Sequence, residues 1–261
     1  QPANQETVEN NLKLPKISKY IAIASGKGGV GKSTVAINLT LAFSKRLKNF
    51  GLMDADIWGP SIPIMCGIDT KPMATKDEKI MPIEKFNIKM MSIGFLLNED
   101  DTVIWRGPMV HGAIKQFIED VEWEGVENLV VDLPPGTGDA HLSLIQTVPL
   151  NGGIIVTTPQ EVALIDVKRG IQMFKKLNVP VLGVIENMSY LQNGSEKIDI
   201  FGRGGGKAMA EKFGVPFLGE IPIDPDIRKG GDNGEPIVFN KPDSPSAKAF
   251  EEIAERLIDI F

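Results

Sequence analysis

The sequence predicts an α/β protein built on a doubly wound, mostly parallel sheet with helices on both faces. Three observations carry that expectation. Short apolar runs of strand length, among them "NLVVD" and "GGIIVTT", recur along the chain. Between them lie stretches with apolar residues at helical spacing. The runs are apolar throughout rather than alternating, as strands are when both faces of a sheet are covered.

In chain order, residues 1–18 are polar with scattered Lys and Asn and read as a tail or linker. Residues 19–261 then form one domain. Strands are expected at 20–24, 51–53, 129–132, 153–157, 181–185 and 217–221. Helices are expected at 33–47, 112–121, 140–147, 164–177, 206–213 and 247–260. The rhythm breaks near residues 71–95, where "KIMPI" and "NIKMMSI" suggest a small hairpin insertion.

Composition narrows the function classes. With 261 residues, 42% of them hydrophobic, the chain can bury a full core. No apolar run approaches the roughly 20 residues of a membrane helix, and the first residues lack a secretory pattern, so a soluble cytoplasmic protein with no membrane partner is expected. The 28 Lys and Arg against 34 Asp and Glu leave no basic footprint for a nucleic-acid partner. The single cysteine, Cys66, cannot form an intrachain disulfide.

The chemistry begins at "SGKGGVGKST", where the strand "YIAIAS" runs into a glycine loop and then into a helical pattern. That context is what makes G-x-x-x-x-G-K-[ST] credible as a phosphate-binding loop. Gly26, Gly28, Gly29 and Gly31, with Val30 between them, let backbone N–H groups converge on phosphate oxygens at a helix N-terminus. Lys32 would reach the β and γ phosphates; Ser33, followed by Thr34, would offer a hydroxyl to Mg²⁺. An extra lysine, Lys27, follows the first glycine; it is either a solvated side chain or a functional one.

Two acidic motifs lie at expected strand ends, where ligands sit in open α/β sheets. "MDADIWGPS" offers Asp54 and Asp56, and "VVDLPPGTGD" offers Asp132 with Gly136. A carboxylate there can hold Mg²⁺ through water or orient the attacking water. Asp54 can equally cap the segment that follows it. Asn187, Pro222 and Asp224 close two later strands, and an amide beside a proline can read and cover a purine. Asp224 can also accept from a guanine edge or cap "PDIR".

"GKGGVGK" resembles the deviant phosphate loop of MinD, the ParA partition ATPases and the nitrogenase iron protein. That resemblance implies a homodimer in which Lys27 crosses to the partner's phosphates. It also implies Asp56 as the residue that positions the nucleophilic water, Asp132 as the second acid of the Mg²⁺ site, and Gly136 as an N–H donor to the γ-phosphate. Asn187, Pro222 and Asp224 then read adenine. The blocks "DADIWGPSIP", "RGPMV", "DLPPGTGD", "TTPQEVALIDVKRGI", "ENMSY", "IFGRGGG" and "GEIPIDPDIR" extend the likeness from about Lys19 onward. In order and spacing they resemble the Mrp/ApbC family of P-loop iron–sulfur cluster carriers, which implies an ATP- and Mg²⁺-dependent ATPase serving iron–sulfur apoproteins.

Members of that family typically carry a C-x-x-C pair between "ENMSY" and "IFG", so that a dimer presents four thiolates to a cluster. Here the loop reads "LQNGSEKID". Ser195 and Asp199 are poor ligands for iron normally held by soft sulfur, and Cys66 reads as a buried structural residue. The sequence therefore leaves two forms of the carrier expectation, unusual ligands or a heteromer with a cysteine-bearing homologue. A switch ATPase that carries no cluster is the alternative. His111 and His141 lack further ligands at helical spacing and read as helix-start or interface residues. Trp58, Trp105 and Arg106 are candidates for a dimer groove. "GRGGGK" resembles a second phosphate loop without its preceding strand and reads as a flexible lead into a helix.

Overall fold

The computed structural model describes residues 17–97 and 107–261. Its chain alternates strand and helix: β1 (Lys19–Ala24), α1 (Lys32–Arg46), β2 (Phe50–Asp54), α2 (Ile62–Met65), β3 (Ile83–Lys85), β4 (Ile88–Ser92), α3 (Gly107–Glu119) and β5 (Asn128–Asp132). It continues through α4 (Asp139–Ile145), β6 (Gly152–Thr157), α5 (Glu161–Lys176), β7 (Val181–Glu186), β8 (Leu191–Asn193), β9 (Glu196–Ile198) and α6 (Gly205–Phe213). The last elements are β10 (Phe217–Glu220), α7 (Pro225–Asn233), α8 (Ile237–Asn240) and α9 (Pro245–Leu257).

The main sheet has the order β10-β7-β6-β1-β5-β2-β4-β3, parallel except for the β3–β4 pair. From β1 the chain crosses by α1 toward β2, whereas β5, β6 and β7 step the opposite way across the sheet. Right-handed crossovers in opposite directions put α1 on one face and α3 to α6 on the other. The packing agrees, since α1 meets α8 and α9 while α5 meets α6. The central strands are buried along their whole length, which accounts for their unbroken apolar sequences.

The irregular stretch is continuous with this sheet rather than apart from it. Phe86 and Asn87 both take positive φ, as a tight two-residue hairpin turn requires, and β4 then pairs in parallel with β2. "KIMPI" contributes isolated bridges from Ile80 to Ala74 and to Val121, and its last residue, Ile83, opens β3. No helix of the described residues is long and apolar enough to cross a membrane.

Candidate functional site

The phosphate loop folds as its residues dictate. β1 delivers the buried Ser25 to the loop, and α1 starts at Lys32 behind Gly31. Gly31 must be glycine twice over: its φ is +79°, and a Cβ there would lie 2.2 Å from the Asn187 amide nitrogen. Gly26 packs against Asp166 of α5, and Gly28 and Gly29 are exposed. Val30 turns into the core, and Ser33 and Thr34 open the helix half-buried. Lys27 is half-buried and lines a hollow of about 240 Å³ with Gly28, Gly29, Lys32, Ser33, Asp56 and Pro135. No described residue pairs with its ammonium.

Three acids converge beneath the loop because β1, β2 and β5 are neighbours whose ends align, with Ile23 in register with Asp132 and Asp132 with Asp54. Lys32, 6% exposed, donates to Asp132 Oδ1 at 2.6 Å and to Ser33 Oγ at 3.2 Å, and lies 3.8 Å from Asp56 Oδ2. Asp54 does not face the loop's hollow. Its two oxygens accept from the Asp56 N–H at 3.0 Å and from Ser92 Oγ at 2.9 Å, so it shapes the turn that presents Asp56. Burial, reinforced by the nearby Asp132, pushes its ionisation up to about 8. Burial also raises Asp56, against the opposing pull of Lys32.

The cluster sets the two carboxyl groups of Asp56 and Asp132 against the single ammonium of Lys32, a donor set that suits a divalent cation. Asp132 Oδ2 is fully buried with no hydrogen-bond partner, the kind of orphan acceptor that a water on Mg²⁺ would satisfy. Ser33, Asp56 and Asp132 therefore fit the ion expected from sequence. Among the described residues no group of three or more His, Cys, Asp or Glu is placed to hold a metal by protein ligands alone. Mg²⁺ at such loops keeps waters and phosphate oxygens in its shell, so that finding is compatible with it.

Gly136, at φ +115°, follows β5 and donates its N–H to the Ser25 carbonyl at 2.9 Å, tying this turn to the phosphate loop. A Cβ on Gly136 would lie 3.0 Å from the His141 ring, whose centre is 6.0 Å from that of Trp58. His111 meets Ser143 Oγ at 3.2 Å and so joins α3 to α4. Trp58 is half-exposed; Trp105 and Arg106 lie outside the described residues.

Beside the loop is a pocket of about 450 Å³ whose lining includes Gly31, Thr34, Asn187, Pro222, Met65 and Arg228. The Asn187 amide donates to the Val30 carbonyl at 2.8 Å. Asp224 lines the same pocket but both its oxygens are engaged, one capping α7 at the Asp226 N–H (2.8 Å) and one accepting from Ser246 Oγ. Capping, one of the roles its sequence allowed, is thus observed, while the carboxylate still lines the pocket. Sequence reasoning missed the walls supplied by α2 and α7. Asp224-Pro225 was the available signal, since a capping acid before a first-turn proline starts a helix.

A profile of the NUBPL iron-transfer P-loop NTPases, which belong to the ParA group, matches residues 16–258. The chain belongs to this family. It is 48% identical over 246 residues to the iron–sulfur cluster transfer protein NUBPL of Dictyostelium discoideum, covering 93% of this chain and 76% of that one. It is 49% identical over 255 residues to the iron–sulfur cluster carrier protein of Pyrococcus horikoshii, covering 92% and 86%. Among solved structures, the nucleotide-binding protein of Archaeoglobus fulgidus in complex with ADP superposes with a TM-score of 0.78 at 38% identity, covering 90% and 92%. The kinship read from the sequence motifs therefore holds.

At the place where sequence resemblance sought cluster ligands, this chain offers no thiolate. Residues 188–206 contain no cysteine. Cys66 is fully buried, its Sγ 3.6 Å from Met90 Sδ, and burial pushes its thiol up to about 12.

Proposed function

We propose that this protein is an Mg²⁺-dependent ATPase that works as a dimer in iron–sulfur cluster assembly or transfer. The observation that carries the ATPase part is the Lys32–Asp132–Asp56 cluster seated under a strand–glycine loop–helix. The cluster-transfer part draws on relatives at 48–49% identity named for that role. Adenine is the base that the family resemblance implies, and Asn187, Pro222 and Asp224 line the pocket beside the loop where it would sit.

The chain's own groups divide the work. Amides of residues 26–34 hold the β and γ phosphates, and Lys32 turns from Asp132 to them. Ser33, with Asp56 and Asp132, would hold Mg²⁺, which when bound would supply positive charge to the phosphate oxygens. Asp56 orients the attacking water, and Lys27 of each subunit reaches across to its partner's phosphates. Gly136 exchanges the Ser25 carbonyl for a γ-phosphate oxygen, so the turn after β5 senses whether that phosphate is present.

The cargo's thiolates come from outside this chain, from a cysteine-bearing homologue or a recipient apoprotein. Anaerobic reconstitution with iron and sulfide tests this. The chain alone, like its Cys66→Ala variant, should retain no stable iron while its ATPase persists, and a mixture with a cysteine-bearing homologue should retain a cluster. About four irons per dimer of the chain alone would overturn it.

A further inference from the structure

The glycine run at residues 202–206 is not a spare phosphate loop, because it already holds an internal acid. Glu186, the last residue of β7, is fully buried. Its Oε1 accepts from the Gly204 N–H at 3.0 Å and from Ser189 Oγ at 2.6 Å, and its Oε2 accepts from the Gly206 N–H at 2.6 Å. The glycines allow that approach: Gly204 has φ +78°, and a Cβ on Gly206 would lie 3.1 Å from Oε2. The carboxyl group thus sits at the N-terminus of α6 where an anion would otherwise bind. The segment expected to be a flexible lead into α6 is instead pinned at its end.

The neighbouring residue points the other way. Asn187 donates to Val30 of the phosphate loop and packs on Gly31. Met188 between them and Ser189 takes φ +54°, uncommon for a non-glycine residue and sustained only where surrounding bonds fix it. From there the backbone is tied on both sides to the loop after β10, by Ser189 N–H to Ile221 O at 3.0 Å and Ile223 N–H to Tyr190 O at 2.6 Å. The β8–β9 hairpin and residues 199–203 then form an exposed arc that carries Ile198, Ile200 and Phe201 on the surface. Two consecutive side chains at one strand tip therefore hold the phosphate loop and both ends of this arc.

We propose that Glu186 is a positioning residue that couples nucleotide binding at Val30–Gly31 to the 190–203 arc, so that the nucleotide sets how firmly this apolar surface is presented. The coupling rests on the nucleotide-binding reading above. In Glu186→Gln one acceptor oxygen is replaced by an NH₂ group that faces N–H or O–H donors and can accept from none of them, so the anchor is weakened while Asn187 stays in place.

Hydrogen–deuterium exchange of the full chain, with and without Mg·ADP, tests it. In the wild type, Mg·ADP should slow exchange in residues 26–34 and also in 190–206. In Glu186→Gln, protection of 26–34 should remain, while the nucleotide-induced difference in 190–206 falls below a third of its wild-type value. A merely structural role would raise exchange in both states and leave that difference intact. Ser189→Ala, which removes one donor and keeps both glycine contacts, should cut the difference by about half. An arc that ignores Mg·ADP in the wild type while 26–34 responds, or a full response in both variants, overturns the coupling. Loss of protection at 26–34 itself overturns the nucleotide reading and the coupling with it.

Discussion

The ammonium of Lys32 and the carboxylate of Asp132 meet at 2.6 Å beneath the phosphate loop, both buried, with the second oxygen of Asp132 left without a partner. The pair holds two opposite charges, the ones that the proposed site would use for phosphate and for the cation, in a place where water does not screen them. Removing one partner strands the other.

Asp132→Ala should therefore lose at least 100-fold in ATP turnover. It should also cost about 3 kcal/mol of stability, the low end for a broken buried pair because Asp56 lies near enough to share the Lys32 charge. Turnover assays and thermal denaturation check both halves. Wild-type turnover in this variant would remove Asp132 from the mechanism.

Gly31→Ala places a methyl group into the Asn187 amide and demands a left-handed backbone from alanine. Nucleotide affinity should drop at least tenfold, measured by calorimetric titration with Mg·ADP.

Asp54 supplies a pH signature. Its carboxyl ionises only near pH 8 in the fold, whereas an unfolded aspartate ionises near 4. Between those values the native state holds a proton that the unfolded state has lost, so Asp54's contribution to stability falls as pH rises through that window, by at most about 1.4 kcal/mol per pH unit. Asp54→Asn has no such proton. Denaturant titrations from pH 5 to 8 should show the wild type losing stability relative to the variant; parallel curves would mean that Asp54 is ionised throughout.

Cys66 should resist thiol reagents in the native protein and react at once in denaturant, because burial holds its thiol neutral and closed off. Labelling read by mass spectrometry decides it. Rapid native labelling would reopen Cys66 as a ligand.

Much of this was legible in the sequence where local signals and the fold agree. The apolar runs at β1, β5 and β6 and the loop from Gly26 to Thr34 needed no tertiary information, since parallel-sheet burial and glycine geometry both leave marks on residue type. Asp54 was ambiguous, and only the position of Ser92 on β4 shows why it turns inward. Glu186 was invisible. Its partners Gly204 and Gly206 lie 18 and 20 residues away, so no local pattern announces that one strand's last acid fills a distant glycine turn. The walls of the pocket beside the phosphate loop escaped notice for the same reason, being assembled from α2, α7 and the strand ends.

The most direct test of the account is the rate of phosphate release from Mg·ATP by the wild type and by Lys27→Ala, with nucleotide affinity measured alongside. The account predicts steady hydrolysis by the wild type, and in the variant a loss of about 10³-fold in turnover with affinity changed only a few-fold, as for a charge supplied across a dimer. Unchanged turnover in Lys27→Ala, or a wild type that binds Mg·ATP without hydrolysing it, would contradict it.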